Sequence, residues 1–233
     1  MGTFGGAQPI VTDGLVFAVD AANYESYPGS GTTWSDLAGN NNGTLINGPT
    51  FDSGNGGSIA FDGTNDYVGG TGISNGGGSG TAQSYNIWSK VDTLDVSGLS
   101  QGLFFWDQFN GIAIYDVTGE IFIQTRGDNS IGDFSPTPTV TTNTWHNVVF
   151  NFNQGVSYEC WLDGVSFGSV ATSDTSNEPA SSQIWSIGSR IDSSNNYLDY
   201  CNGNIAIVQA YNRALSSTEV LQNYNALKSR FGL

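Results

Sequence analysis

The feature that most constrains the fold is a short block, Ser58 to Val68, in which two strand-like runs flank a tight turn. The runs alternate in polarity, and the turn between them contains Asp62-Gly63 and Asn65-Asp66, residue pairs that favour hairpin turns. Asn-Gly and Asp-Gly pairs recur along the chain, beginning at Asn42, Asn47, Asn55, Asn75, Asn110, Asn202, Asp13, Asp62 and Asp163. This turn chemistry predicts a strand-rich protein.

Alternating apolar and polar residues predict about a dozen strands spread over the whole chain. The predicted strand regions are 15–20, 44–68, 82–90, 102–108, 112–117, 120–124, 145–152, 157–163, 165–170, 184–190 and 204–211. Polar stretches at 72–80, 126–142 and 172–182 are predicted loops. Because short strands separated by such turns are typical of sandwiches, we expect an all-β fold of two antiparallel sheets.

We expect one folded domain, residues 13–233, preceded by an N-terminal arm, residues 1–12. A helix of about residues 216–230 is predicted at the C-terminal end, because Ser216 and Glu219 have the spacing of a capping box. Lys228 and Arg230 follow, where cations complement the helix dipole. The apolar residues expected on the covered face of this helix are Val220, Leu221, Tyr224 and Leu227.

The charge balance argues against two classes of partner. Six basic residues face 21 acidic ones, which gives a net charge of −15. Binding to a phosphate backbone needs Lys and Arg, and anionic membrane surfaces repel such a protein, so we expect neither nucleic acid nor membrane as a partner. The first ten residues lack the basic start and apolar run of a signal peptide, so synthesis in a cytoplasm is expected.

Six segments of the chain form a recognisable set, namely Asp13 to Ala21, Ser30 to Asn40, Asp62 to Val68, Trp145 to Val148, Trp161 to Gly164 and Gly203 to Phe231. Together they resemble the laminin-G-like branch of the concanavalin A-like lectin/glucanase superfamily, in the form found in bacteriophage structural proteins. The resemblance implies a jelly roll of two antiparallel sheets with a short C-terminal helix. Because it extends along most of the chain, we expect no second functional domain.

The resemblance also implies a function and a location. Phage relatives of this kind are virion proteins, so we expect a non-enzymatic structural protein, most simply a capsid decoration protein on the outer surface of the particle. Its partners would be the major capsid protein or another virion protein, and it would form a homo-oligomer there. The alternative is a carbohydrate-binding lectin, adhesin or tail-fibre-associated module, and binding to host glycans is compatible with both interpretations.

The sequence contains no pattern of catalytic residues. Glycoside hydrolases of this fold need two neighbouring carboxylates, whereas the glutamates here are scattered, and Glu159 is expected to be a solvated sheet residue. His146 is the only histidine, and its place at a strand start indicates a structural role. We therefore expect no enzyme, no catalytic residues and no bound cofactor.

Three further features have two interpretations each. Asp62, Asn65 and Asp66 offer oxygen ligands that suit a structural calcium ion, but Asx turns explain the same residues and are favoured. Cys160 and Cys201 are interpreted as buried thiols in preference to a disulfide. The third feature is a group of four tryptophans, Trp88, Trp106, Trp161 and Trp185. Together they suit a sugar-stacking platform, but for each one a place in the core is the favoured interpretation.

Overall fold

The computed structural model describes residues 8–73, 82–94, 100–108, 110–115, 117–124, 134–153, 155–172 and 184–233. Part of each predicted loop, namely 74–80, 126–133 and 173–182, lies outside the described residues, as does the start of the N-terminal arm, residues 1–7.

The described residues form two large antiparallel sheets and one small hairpin. The strands are β1 Leu15–Asp20, β2 Thr33–Trp34, β3 Gly43–Ile46, β4 Thr50–Asp52, β5 Ser58–Asp62, β6 Tyr67–Thr71, β7 Ala82–Val91, β8 Gln101–Phe105, β9 Gly111–Ile114, β10 Ile121–Gln124, β11 Trp145–Asn153, β12 Ser157–Leu162, β13 Val165–Ala171, β14 Ile184–Ile187, β15 Arg190–Ile191, β16 Tyr197–Leu198 and β17 Asn202–Tyr211. The predicted two-sheet sandwich is confirmed.

The eight-stranded sheet has the order β13-β12-β11-β7-β17-β5-β4, with β1 also paired to β17. The seven-stranded sheet has the order β10-β9-β8-β14-β6-β3-β2, and β15 pairs with β16. The Asp62–Asp66 turn connects β5 of the first sheet to β6 of the second. The block that most constrains the fold in sequence is therefore a crossing between the two sheets.

Strand β11 shows how the alternation in sequence builds both faces of a sheet. Val148, Phe150 and Phe152 point into the core between the sheets, where all three are fully buried. The intervening residues, among them Asn151 and Asn153, point to the outer face because side chains alternate along a strand. Even-numbered residues of β11 thus contribute to the core, and odd-numbered residues form the outer face of the sheet.

The tryptophans lie in the interior and form no exposed platform. Trp106 and Trp185 belong to the core between the sheets, and Trp34 joins them there. Trp88 lies on the outer face of the eight-stranded sheet, where it stacks on Phe231 with ring centroids 4.3 Å apart. A core role, the favoured interpretation for each tryptophan, is therefore confirmed, although Trp161 also borders a surface groove described below.

Helix α1, Ser217–Leu227, packs on the outer face of the eight-stranded sheet and continues as a 3-10 turn, Lys228–Phe231. The capping box is confirmed, because the Ser216 hydroxyl accepts a hydrogen bond from the Glu219 N–H and the Glu219 carboxylate accepts one from the Ser216 N–H. None of the helices in the described residues has both the length and the apolar character that crossing a membrane requires.

Two predictions of buried residues were wrong. Val220 is fully buried, but Leu221 is 45% exposed, because one residue step turns a helix by about 100° and moves Leu221 to the flank of the covered face. Asn223 takes a buried position on that face instead. The sequence also indicates Trp34 and Leu37 as apolar anchors of the polar stretch 29–43 that follows β1, but Leu37 is 43% exposed, and its backbone N–H donates to the Ala18 carbonyl.

Both cysteines are buried thiols, as expected. Cys160 belongs to the core between the sheets, where burial raises the pKa of its thiol to about 12. Its side chain is therefore a small apolar group at neutral pH.

Candidate functional site

A polar groove lies on the outer face of the eight-stranded sheet, at its β11-β12-β13 edge. It has a volume of about 530 Å³ and is closed on one side by the segment that leads into helix α1. Its lining residues are Asn151, Asn153, Glu159, Trp161, Ser166, Gly168, Ser169, Ala214, Leu215, Ser216 and Ser217. We refer to it as the Glu159 groove.

Strand register brings the groove residues together in two rows. Asn151 of β11 is opposite Glu159 of β12, which in turn is opposite Ser169 of β13. In the next row Trp161 is opposite Ser166. Asn151, Glu159 and Trp161 have the outward parity of their strands, whereas Ser166 and Ser169, three residues apart in β13, are both paired to outward residues of β12 because the register shifts between them. A β-bulge in the β12–β13 pairing lies between the two rows, and such irregularities re-aim side chains.

Asn151 fixes the position of the Glu159 carboxylate. Its side-chain Nδ2 donates to Glu159 Oε2 at 3.1 Å and to the Leu215 carbonyl at 2.7 Å, while its Oδ1 accepts from the Ser84 hydroxyl at 2.5 Å. Both N–H groups of the Asn151 amide and its oxygen are thereby engaged within the protein. Glu159 is held at one oxygen, and its Oε1 has no hydrogen-bond partner in the described part of the chain.

Trp161 supplies the aromatic part of the groove. Its side chain is 6% exposed and packs in a small cluster with Val149, Leu215 and Val220. The indole is therefore held between the sheet residue Val149 and the helix residue Val220. Further polar atoms are available at the groove surface, because Ser166 and Ser169 are exposed and Asn153 is partly exposed.

The charge in the groove comes from Glu159, which is the only ionisable side chain among the described lining residues. Arg213 is nearby in sequence, but its guanidinium pairs with Glu219 at 2.6 Å and with Asp13 at 2.9 Å. This pairing, together with hydrogen bonds from Ser216, lowers the pKa of Glu219 to about 2. The Arg213 charge is therefore neutralised by its own partners.

The predicted calcium ligands form a turn at the end of the sandwich. Asp62 Oδ1 accepts from the Thr64 N–H at 2.8 Å, which is the geometry of an Asx turn. Asp66 is 5% exposed, and burial together with the neighbouring Asp62 raises the pKa of its carboxyl. The described residues contain no group of three His, Cys, Asp or Glu side chains arranged for a metal. The favoured Asx-turn interpretation matches this geometry, and calcium binding stays a prediction.

His146 has the predicted structural role. Its Nδ1 lies 2.7 Å from Asp163 Oδ2, and its Nε2 accepts a hydrogen bond from the Thr141 N–H at 3.0 Å. These contacts require the proton on Nδ1. The ring thus joins the start of β11 to the β12–β13 turn, and both of its nitrogens are occupied.

A second aromatic group covers part of the outer face of the seven-stranded sheet. Tyr67 stacks on Tyr197 with centroids 4.0 Å apart, and Tyr200 lies 6.4 Å from Tyr67. Burial raises the pKa of all three hydroxyls. Because these rings pack on one another, we describe them as a tyrosine cluster that closes the small β15–β16 hairpin onto the sheet.

Sequence reasoning missed most of the groove. Glu159 and Trp161 were singled out, but Asn151, Asn153 and Ser169 were not. The signal that points to them is parity, since each shares the outward parity of its strand. Parity alone cannot show that residues of β11, β12 and β13 and the segment before helix α1 line one groove.

Comparisons with known proteins agree with the two-sheet fold. The model of the family described as the concanavalin A-like lectin/glucanases superfamily matches residues 62–221. No curated protein is similar in sequence at a significant level. The chain is similar in structure to domain 4 of an extracellular arabinanase from Geobacillus stearothermophilus in complex with arabinotriose, with a TM-score of 0.62 and 17% identity, covering 91% of this chain and 98% of that one.

Two larger proteins contain a similar fold. The Trypanosoma rangeli sialidase in complex with sialic acid matches with a TM-score of 0.64 and 13% identity over 97% of this chain, which spans 36% of the sialidase. The binding domain of botulinum neurotoxin serotype D/C matches with a TM-score of 0.66 and 10% identity over 92% of this chain and 52% of that one. At these identities the likeness shows the fold.

Proposed function

The chain belongs to the concanavalin A-like lectin/glucanases superfamily, and on that basis we propose that it is a non-catalytic carbohydrate-binding module that holds a short oligosaccharide in the Glu159 groove. The observation that carries the proposal is the combination of a fixed indole, Trp161, with uncommitted polar atoms in one depression of about 530 Å³. Binding sites for small molecules combine apolar and aromatic walls with a few placed polar groups.

The chemistry of the groove suits a sugar. The small exposed part of the Trp161 indole borders the groove and offers an apolar contact to the C–H groups of a sugar ring. Around it, Glu159 Oε1 and the Asn153 carbonyl oxygen accept hydrogen bonds, and the Ser169 hydroxyl both donates and accepts. Sugar hydroxyls need such mixed donors and acceptors at short range. The similarity in fold to the arabinanase domain that was solved with arabinotriose supports the proposal.

The same residues support a non-enzymatic role. Glycoside hydrolysis requires two carboxyl groups on either side of the scissile bond, about 5–10 Å apart. Among the described lining residues Glu159 is the only acid. A single carboxylate anchors a hydroxyl but lacks the second group that acid–base cleavage needs.

A glycan array followed by calorimetric titration tests this proposal. An oligosaccharide bound on the array is titrated into the wild-type protein and into Ser169→Trp, which fills the groove from an exposed position. We expect the affinity to fall about tenfold or more in this variant. The matched control is Thr44→Trp, which introduces the same bulky side chain at an exposed position of β3 in the other sheet. This variant should bind the oligosaccharide with wild-type affinity. Equal binding by all three proteins would contradict the groove as the site.

The location of the module is a second part of the proposal. We propose that it is attached to the outside of a phage particle as a homo-oligomer, bound to the major capsid protein or another virion protein. The resemblance to phage structural proteins and the net charge of −15, which suits a solvent-facing position, support this location. Mass spectrometry and cryo-electron microscopy of purified virions test it. If the protein is missing from the particle, a free lectin or adhesin is the better account.

A further inference from the structure

We infer that Glu159 makes the groove selective by charge, so that it accepts neutral sugars, binds sugars with a free amine most tightly and rejects anionic sugars such as uronic and sialic acids. The inference deepens the proposed function and rests on it. It assigns to Glu159 the role of a specificity-determining residue in that groove.

The first step of the argument is the fixed direction of the Glu159 carboxylate. Asn151 holds Oε2 at 3.1 Å, and Asn151 is itself anchored to the Leu215 carbonyl and the Ser84 hydroxyl. Because both N–H groups of the Asn151 amide are already donated, the side chain cannot turn to serve a ligand without breaking these bonds. Glu159 Oε1 is therefore presented to the groove in one orientation, with a lone pair available for an O–H or N–H donor.

The second step is the absence of a compensating cation among the described lining residues. A carboxylate or sulfate ligand needs Arg, Lys or a cluster of N–H donors to offset its charge. The nearest arginine in sequence, Arg213, gives its Nη2 to Glu219 Oε1 and its Nη1 to Glu219 Oε2 and the Ala214 carbonyl. Its Nε donates to the Asp13 carbonyl. An anionic sugar would meet Glu159 with no cation among the described lining residues to balance it.

The third step is the charge of the whole protein. With six basic and 21 acidic residues, the field at the surface attracts cations and repels anions. A protonated amine placed at Glu159 Oε1 would gain a charge-assisted hydrogen bond in addition to this field. Since exposed ion pairs are weak, we expect an amino sugar to bind about fivefold more tightly than its neutral counterpart at low salt.

The experiment compares matched glycans on one protein and its variants. A glycan array and calorimetry with three trisaccharides, of glucosamine, of N-acetylglucosamine and of galacturonic acid, are run with wild-type protein and with Glu159→Gln. Glu120→Gln is the control, because it removes the same charge at a partly exposed position directly before β10 in the other sheet. Gln keeps the size of Glu and can still accept a hydrogen bond, so it tests charge and not shape.

We expect the wild-type protein to bind the set in the order amine, neutral, acid, and we expect Glu159→Gln to lose the preference for the amine and to gain binding of acidic glycans. Glu120→Gln should keep the wild-type order. If wild-type protein binds acidic and neutral glycans equally, or Glu159→Gln leaves the order unchanged, the inference is wrong while carbohydrate binding stands. If no glycan on the array binds, the proposed function fails and the inference fails with it.

Discussion

Asn151 lies opposite Glu159 on the neighbouring strand and donates its side-chain amide to Glu159 Oε2 at 3.1 Å. This contact connects the interior of the eight-stranded sheet to its surface. On one side Asn151 is bonded to the buried Ser84, and on the other it fixes a carboxylate that reaches the groove. A buried amide whose two N–H groups and oxygen are all hydrogen-bonded is a rigid support. The carboxylate of the Glu159 groove is therefore held by a fully buried side chain of the eight-stranded sheet.

The first prediction concerns this support. Asn151→Leu removes the donor to the Leu215 carbonyl and to Glu159 Oε2 and one acceptor of the Ser84 hydroxyl, so we expect the free energy of unfolding to fall by about 1–3 kcal/mol in urea titrations. Asn153→Leu, at a partly exposed position of the same strand with one hydrogen bond to Ser157, is the control. Its effect should stay within about 0.5 kcal/mol. A variant at position 151 as stable as wild type would show that the network contributes nothing.

The second prediction concerns the covered face of helix α1. Val220 is fully buried and Leu221 is 45% exposed. Val220→Asp places a charge against the sheet and should cost about 3 kcal/mol or more, or prevent folding. Leu221→Asp should change the free energy of unfolding by less than about 0.5 kcal/mol. Thermal melting of both variants checks this, and equal losses at the two positions would refute the observed orientation of the helix.

The third prediction concerns acid. The pKa of Glu219 is lowered from 4.5 to about 2 by Arg213 and Ser216. Because the pKa is lower in the folded state, this group stabilises the protein fully above pH 4.5, and the stabilisation is lost as the pH falls towards 2. We expect Glu219→Gln to show a smaller decline in melting temperature between these two pH values. An unchanged slope would contradict the role of the Arg213–Glu219 pair.

The fourth prediction concerns the thiols. Burial raises the pKa of Cys160 to about 12, and Cys201 is also buried. Since the thiolate is the reactive form, neither cysteine should react with a thiol reagent in the native protein near pH 8. After unfolding in denaturant without reductant, both should react. A disulfide detected by mass under mild reductant would contradict the structure.

The sequence predicts the sandwich well because its signals are local. The Asp62-Gly63 turn, the alternation in β11 and the Ser216–Glu219 capping box each depend on neighbours within a few residues. The groove is different, because Asn151, Glu159 and Leu215 meet only through strand register and the packing of α1. The position of Leu221 depends on where the helix rotates against the sheet, which periodicity leaves open by about one residue.

The central claim is that the Glu159 groove binds a sugar, and amide NMR tests it most directly. A bound oligosaccharide from the array is titrated into isotope-labelled protein, and chemical-shift changes are followed residue by residue. We predict that the changes concentrate in the groove-lining residues of strands β11, β12 and β13 and in residues 214–217. Changes centred on Tyr67 and Tyr197 of the other sheet, or an absence of changes at the groove, would contradict the account.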